Sequence, residues 1–225
     1  MEQQKTITSF KRMRNILPNH YSVTGHICSI KNNEFVEFES SLERDFIYLL
    51  EFNLEVKQYY EQPIKIYYLD EGFEKYYVPD FFVEYWNGTK ELVEIKYIQE
   101  LEEKQNELST KFNAAEIFCS TNGMSFKIYN EHLIRTALGW NAKFLNYYRY
   151  PKFDLNLDEA SILRNKLNEL NDSTPSKIIK LIANDESKQA ELLYLLWYLI
   201  ANYSITFDSN KKLDMNTPIW VKKNK

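Results

Sequence analysis

Val78-Pro79-Asp80-Phe81-Phe82-Val83-Glu84-Tyr85-Trp86-Asn87-Gly88-Thr89-Lys90-Glu91-Leu92-Val93-Glu94-Ile95-Lys96 is the stretch whose reading decides the fold. Two runs rich in β-branched and aromatic residues flank Asn87-Gly88. That pair is the strongest short hairpin signal, because a two-residue turn of this kind needs positive φ at both central positions. The expectation is two antiparallel neighbouring strands over 74–86 and 89–98. Residues two apart in a strand share a face. Glu94 and Lys96 therefore project together, with Val93, Ile95 and Tyr97 on the other side. Folding the preceding strand back across the turn pairs Asp80 roughly with Lys96 and Glu94.

Two carboxylates and an ammonium converging on one spot suit phosphodiester hydrolysis. Hard oxygen ligands hold Mg²⁺ and leave water positions open. The metal acidifies bound water and offsets charge on the phosphate, and a lysine can orient the attacking water or stabilise the charged transition state. A metal site would also account for Asp80 inside the apolar run from Tyr76 to Val83, where an unpaired carboxylate costs several kcal/mol, roughly. Each residue has a plainer reading beside this one. Pro79-Asp80 is a turn signal, and Glu94 with Lys96 could be the wet face of an edge strand. Glu43 closes the pattern Ser40-Ser41-Leu42-Glu43, a capping box with Ser40 as N-cap. A third carboxylate on a helix beside the sheet would instead complete a metal site.

Working outward, 26–30 and 35–38 read as a hairpin, 41–53 as a helix with Phe46, Leu49, Leu50 and Phe52 on its apolar side, and 63–69 as a further strand. A polar helix is expected over 99–112, short strands over 114–118 and 125–129, and mainly helix over 131–148. After Pro151 the pattern changes to three helices, 158–170, 175–182 and 186–203, with Asp158 and Ser173 as candidate N-caps. A hairpin of 205–207 with 214–221 ends the chain. The fold class is mixed α/β (α+β). A domain over 1–150 is followed by a small one over 151–225, whose three helices and terminal hairpin suggest a winged helix.

Composition agrees with a folded chain. Of 225 residues, 44% are hydrophobic and 16% aromatic, with five Gly and six Pro, which excludes a disordered polymer. Cys28 and Cys119 form no metal-ligand or disulfide pattern and read as core thiols of a reducing cytosol. Met1 to Asn15 has no apolar run behind its basic residues, and Leu192 to Ile200 is too short to span a bilayer, so neither a secretory leader nor a membrane span is expected. The net charge is −4, which argues against a strong free-standing DNA binder. Charge is uneven, however. Lys5, Lys11, Arg12, Arg14 and Lys31 gather at the start, and Lys211, Lys212, Lys222, Lys223 and Lys225 at the end, around an acidic middle. These ends read either as solubilising tails or as two DNA-facing edges.

Pro79-Asp80 with Glu94-Ile95-Lys96 resembles the PD-(D/E)XK nuclease core of many restriction enzymes. The flanking text is more specific. Phe38-Glu39-Ser40-Ser41-Leu42-Glu43-Arg44-Asp45, Leu49-Leu50-Glu51-Phe52 and Glu61-Gln62-Pro63 resemble the TnsA family, as do Leu196 to Asn202 and Thr217-Pro218-Ile219-Trp220 in the C-terminal part. The resemblance runs from about Phe10 to Trp220. It implies a PD-(D/E)XK restriction-endonuclease-like mixed sheet flanked by helices, then a winged-helix domain. It implies a Mg²⁺-dependent DNA endonuclease, with Mn²⁺ as substitute, that cuts the 5′ ends of a transposon while a DDE-type transposase cuts the 3′ ends and an AAA+ ATPase regulates both. The implied catalytic residues are Glu43, Asp80, Glu94 and Lys96, and the implied metal-contacting set is Glu43, Asp80, Glu94 and Ile95. Some family members carry Gln where Glu94 stands, and Gln62 matches a Gln-Pro pair of uncertain role. Two other functions stay open: a stand-alone restriction or repair nuclease, and a non-catalytic winged-helix DNA-binding regulator. The second is weakened because the 187–203 helix is apolar rather than basic.

Overall fold

The computed structural model describes residues 23–150 and 155–222. The basic segment expected to lead the chain, and Pro151 itself, lie outside the described residues. Two compact units divide between Ile134 and Arg135, earlier than the boundary expected near Pro151.

The N-terminal unit opens with β1 (Gly25–Ser29) and β2 (Glu34–Phe38), an antiparallel hairpin whose tight turn uses Asn33 at φ 56°. Helix α1 (Ser41–Phe52) starts at Ser40, whose Oγ accepts from Glu43 N at 3.1 Å. Its buried Leu42, Phe46, Ile47 and Leu50 recur at helical spacing. Glu51 on the same helix is buried but accepts from Ser29 Oγ, Ile30 N and Tyr59 Oη, which ties the first hairpin to the rest.

Then come β3 (Val56–Glu61), β4 (Ile66–Asp70), β5 (Phe73–Tyr77), β6 (Phe81–Tyr85) and β7 (Lys90–Ile95). Two expectations change here. The single strand expected over 74–86 is two strands. Pro79 has no N–H to give a ladder, so the chain breaks at 78–80: β5 pairs only with β4, and β6 pairs with β3 and β7. The turn after β6 also differs. Gly88 sits at φ 86°, but Asn87 does not have positive φ. Tyr85 N donates to Thr89 O, and Gly88 N to Tyr85 O. The connection is thus a three-residue loop with glycine in the left-handed position, and the register runs Phe81 to Val93, Phe82 to Leu92 and Glu84 to Lys90.

Helices α2 (Ile98–Glu103) and α3 (Gln105–Thr121) follow, then β8 (Ser125–Tyr129) and the single turn α4 (Glu131–Ile134). The strand expected over 114–118 is part of α3, because Leu108, Phe112, Ala115 and Cys119 recur at three- and four-residue steps and pack inward. The sheet order is β3-β6-β7-β8, antiparallel except for the parallel β7–β8 pair. α1 covers the face carrying Phe81, Val83, Val93 and Ile95. α3 covers the face carrying Phe82 and Leu92. This is a mixed sheet flanked by helices, consistent with a PD-(D/E)XK-like nuclease fold.

The C-terminal unit contains α5 (Ala137–Asn146), α6 (Leu157–Leu170), α7 (Pro175–Ile182), α8 (Glu186–Ala201) and the antiparallel pair β9 (Ile205–Phe207) and β10 (Ile219–Val221). α5 belongs here because buried Asn141 donates to Lys211 O and accepts from Leu213 N, both at 2.8 Å. The caps are Asn156 and Thr174, not Asp158 and Ser173. Asn156 Oδ1 accepts from the Asp158 and Glu159 amides, and Thr174 Oγ1 accepts from Lys177 N. Asp158 is already inside its helix and Ser173 is one residue too early for its own, so neither stands where a side chain reaches the free N–H groups of the first turn. Apolar Leu192, Leu195, Leu196, Leu199 and Ile200 make α8 the core of this unit. Among the described residues no helix is long and apolar enough to cross a membrane.

Candidate active site

Asp80 stands where the chain leaves the β4–β5 hairpin and enters the central sheet. Continuing the β6–β7 register places it across from Glu94, on the α3 side. Its Oδ2 accepts from Ile95 N at 2.7 Å, and its carbonyl accepts from Gln62 N at 2.8 Å. Gln62 is buried and holds φ 44°, a left-handed backbone that costs a non-glycine residue about 1–3 kcal/mol. The strain falls at the crossing from β3 to the β4–β5 hairpin, beside Asp80.

Glu94 is only 2% exposed. Its Oε1 meets Lys96 Nζ at 2.9 Å and Lys111 Nζ at 3.8 Å, and its Oε2 accepts from Tyr77 Oη at 2.5 Å. Lys96 Nζ also donates to Ile95 O at 3.2 Å and lies 3.9 Å from Asp80 Oδ2. One ammonium thus gathers two carboxylates and a backbone carbonyl, the oxygen set that can hold a hard divalent cation. Glu43 stands apart. Its Oε2 is drawn back to Glu39 N at 2.9 Å, one residue before the Ser40 amide that the capping-box pattern names. Its helix covers the opposite sheet face, yet its charge bears on Asp80 and Lys96. Among the described residues no three His, Cys, Asp or Glu side chains sit close enough to hold a metal by themselves.

The electrostatics follow from crowding. Burial holds the Asp80 carboxyl well above the usual carboxylate range, helped by the Glu94 and Glu43 charges and opposed by Lys96 and the Ile95 amide. Burial also raises Glu43, against its bonds from Glu39 and Ser40. For Lys96 burial works downward, but Asp80 and Glu94 outweigh it and hold the ammonium firmly protonated. Tyr77 is raised by burial and by Glu94, which keeps its hydroxyl a donor.

Asp80, Glu94 and Lys96 are thus brought together, and Glu43 is held by its cap at the start of α1. Lys111 and Tyr77 are the residues that sequence reasoning missed. Lys111 comes from α3, with Nζ 5.2 Å from the Tyr77 ring centre. Only the packing of that helix on the sheet reveals it.

A family model for the TnsA-like endonuclease N-terminal domain matches residues 53–131, and one for the TnsA endonuclease C-terminal domain matches residues 134–208. A search of curated proteins gave no match. The two matches are consecutive, fall in the order of the two compact units, and together span most of the 225 residues; the chain belongs to the TnsA family of endonucleases.

Proposed function

We propose that this chain is the metal-dependent subunit of a heteromeric transposase that cuts the 5′ ends of a transposon, with Asp80, Glu94 and Lys96 at the cutting site. The observation that carries the reading is the oxygen set around Lys96 Nζ: Glu94 Oε1, Ile95 O and Asp80 Oδ2. Such a set suits Mg²⁺, with Mn²⁺ as substitute, because both prefer hard oxygen donors. The chemistry such a cation supplies when bound is the acidification of a water and the neutralisation of charge on the phosphodiester. The chain's own residues do the rest. Ile95 N fixes the Asp80 carboxylate, and Tyr77 Oη fixes Glu94. Lys96, held protonated, is an ammonium donor available to the attacking water or to the phosphate oxygen that gains charge. Lys111 keeps a second positive charge on Glu94. Glu43, whose Oε2 accepts from the Glu39 amide, is the remaining carboxylate of the set.

The small unit, with helices packed on a two-stranded antiparallel sheet, fits a winged-helix domain. A DDE-type transposase for the 3′ ends and an AAA+ ATPase are the partners this role requires. The test is to supply transposon-end DNA with the chain and its transposase, and to map the broken strands with Mg²⁺, with Mn²⁺ and with chelator. Breaks at the 5′ ends, lost with chelator and in Asp80→Asn, are expected. Breaks that survive chelation would overturn the metal site, and 5′ breaks made without this chain would overturn the role.

A further inference from the structure

Gln62 holds a backbone angle that its own side chain and its neighbour both oppose. Its φ is 44°, in the left-handed region that is costly for any residue with a Cβ. Pro63 follows, and a proline ring pushes the residue before it toward extended backbone. Five non-glycine residues have positive φ among the described residues, and the other four stand where such an angle is ordinary. Asn33 and Glu71 lie in the turns of the β1–β2 and β4–β5 hairpins, Asn171 caps α6, and Tyr203 follows the cap of α8. Gln62 alone of the five is buried, at 5% exposure, and it lies at no hairpin turn and no helix end. Strain of this kind persists only where the surrounding structure over-determines it.

The turn at Gln62 bears on both carboxylates of the site. The β3–β6 register ends with Glu61 across from Phe81, so the next rung sets Gln62 across from Asp80. Its N–H donates to the Asp80 carbonyl at 2.8 Å. Beyond that rung the left-handed residue turns the chain out of the sheet and toward β4. Four residues on, Ile66 pairs with Tyr77, and both are buried in the cluster that α3 covers. Tyr77 Oη donates to Glu94 Oε2, while the Asp80 carboxylate accepts from Ile95 N. One residue thus holds the main chain of the first carboxylate and aims the hairpin that anchors the second.

We propose that Gln62 is a positioning residue of this site, whose left-handed turn sets Asp80 and Tyr77 against Glu94. That the site cuts DNA rests on the endonuclease reading; that Gln62 shapes the site does not. The role runs through the backbone angle rather than through the amide side chain. Glycine takes positive φ without strain, so it can fill the position. A β-branched residue resists that angle, and in relaxing toward extended backbone it breaks the rung to Asp80.

The test compares Gln62→Val, Gln62→Gly and Gln62→Ala in the full chain. Amide hydrogen exchange with chelator present reads the geometry without any cleavage, because the Ile95 N–H is protected by the Asp80 carboxylate that accepts from it. Gln62→Val should lower that protection by about tenfold or more and leave the amides at the middle of β6 and β7 as in the wild type. Gln62→Gly should restore the protection and melt at or above the wild type. Gln62→Ala keeps the Cβ and its strain, so it should melt below Gln62→Gly. Cleavage of saturating transposon-end DNA, read separately with Mg²⁺ and the transposase present, should fall roughly tenfold to a hundredfold in Gln62→Val with KM for DNA unchanged, and should recover in Gln62→Gly. Wild-type protection of Ile95 in a folded Gln62→Val overturns the proposal, as does a loss spread evenly over β6 and β7, which would make Gln62 merely structural. Lost protection in Gln62→Gly overturns it too, since the side chain would then carry the role. If Gln62→Val does not fold, the other two variants decide: a Gln62→Gly that melts no higher than Gln62→Ala overturns it. A wild type that cuts no DNA while the Ile95 pattern holds counts against the endonuclease reading and leaves the positioning role standing.

Discussion

Asp80 carries two roles that a single substitution confounds. Its Oδ2 satisfies the Ile95 amide, and its charge is disfavoured by burial and by Glu94. Asp80→Ala removes the repulsion but strands the amide, a loss of about 1–3 kcal/mol. Asp80→Asn keeps an acceptor and removes the charge. It should abolish cleavage while the melting temperature without metal stays equal to or above that of the wild type; a clear drop in that temperature would make the carboxylate structural. A pH profile follows from the same shift. The folded carboxyl is raised, so the fold holds a proton that the unfolded chain has already released near pH 3.9. The stability tied to that proton is full below this value and is lost as pH climbs through the folded value. Melting curves with chelator should show the wild type losing stability over that range and Asp80→Asn losing less, with Mg²⁺ reversing the loss. Parallel profiles would refute this. Glu43 separates likewise. Glu43→Ala should cost about 1 kcal/mol through the helix start as well as activity. Glu43→Gln keeps an acceptor for the Glu39 amide, so a Gln variant that still cuts normally would confine Glu43 to capping.

Helix α3 delivers Lys111 to Glu94 while its apolar side covers Phe82 and Leu92. Lys111→Met should leave that packing in place and slow cleavage of saturating DNA by about tenfold, equivalent to roughly 1.4 kcal/mol of charge stabilisation. An unchanged rate would reduce Lys111 to a packing residue. Elements of this kind also mark how far the sequence could be read. Helices with clean apolar spacing, such as α1 and α7, were legible, although the cap of α7 falls one residue later than expected, and so was the pairing of the strands that bring Asp80 and Glu94 together. β3 was not, because a bulge between Val56 and Gln58 breaks the alternation that marks a strand. The run Ala114-Ala115-Glu116-Ile117-Phe118 is too short for periodicity to separate helix from strand. The company that Glu94 keeps was illegible for a different reason. Tyr77 and Lys111 lie 17 residues away on either side, and only tertiary packing joins them.

Over the whole molecule 22 of the 32 acids lie in residues 1–134 while the 28 bases divide evenly between the two units, and the net charge of −4 leaves little gain from counterion release. The chain alone should therefore cut transposon-end DNA poorly at physiological salt, and cut well once its transposase holds it there. A time course across a salt series, with and without the transposase, measures this directly. Efficient, sequence-specific cutting by the chain alone at physiological salt would instead favour a stand-alone restriction or repair nuclease. The 16-residue α8 is consistent with the partnered role, since its side chains serve the core of the small unit rather than base reading.

The loop Trp86-Asn87-Gly88 sets the parity of the site. With three residues between Tyr85 and Thr89, Asp80 falls across from Glu94. Had Asn87-Gly88 closed by itself as a two-residue turn, Trp86 would face Thr89 and Asp80 would fall across from Ile95, exchanging the wet and dry faces of one strand against the other. The choice between these closures is made by a few backbone angles at the far end of the hairpin from the chemistry. The turn is thus an alignment key for the proposed cutting site. A variant that closes it one residue tighter would keep every side chain of the proposed site and should still lose cleavage.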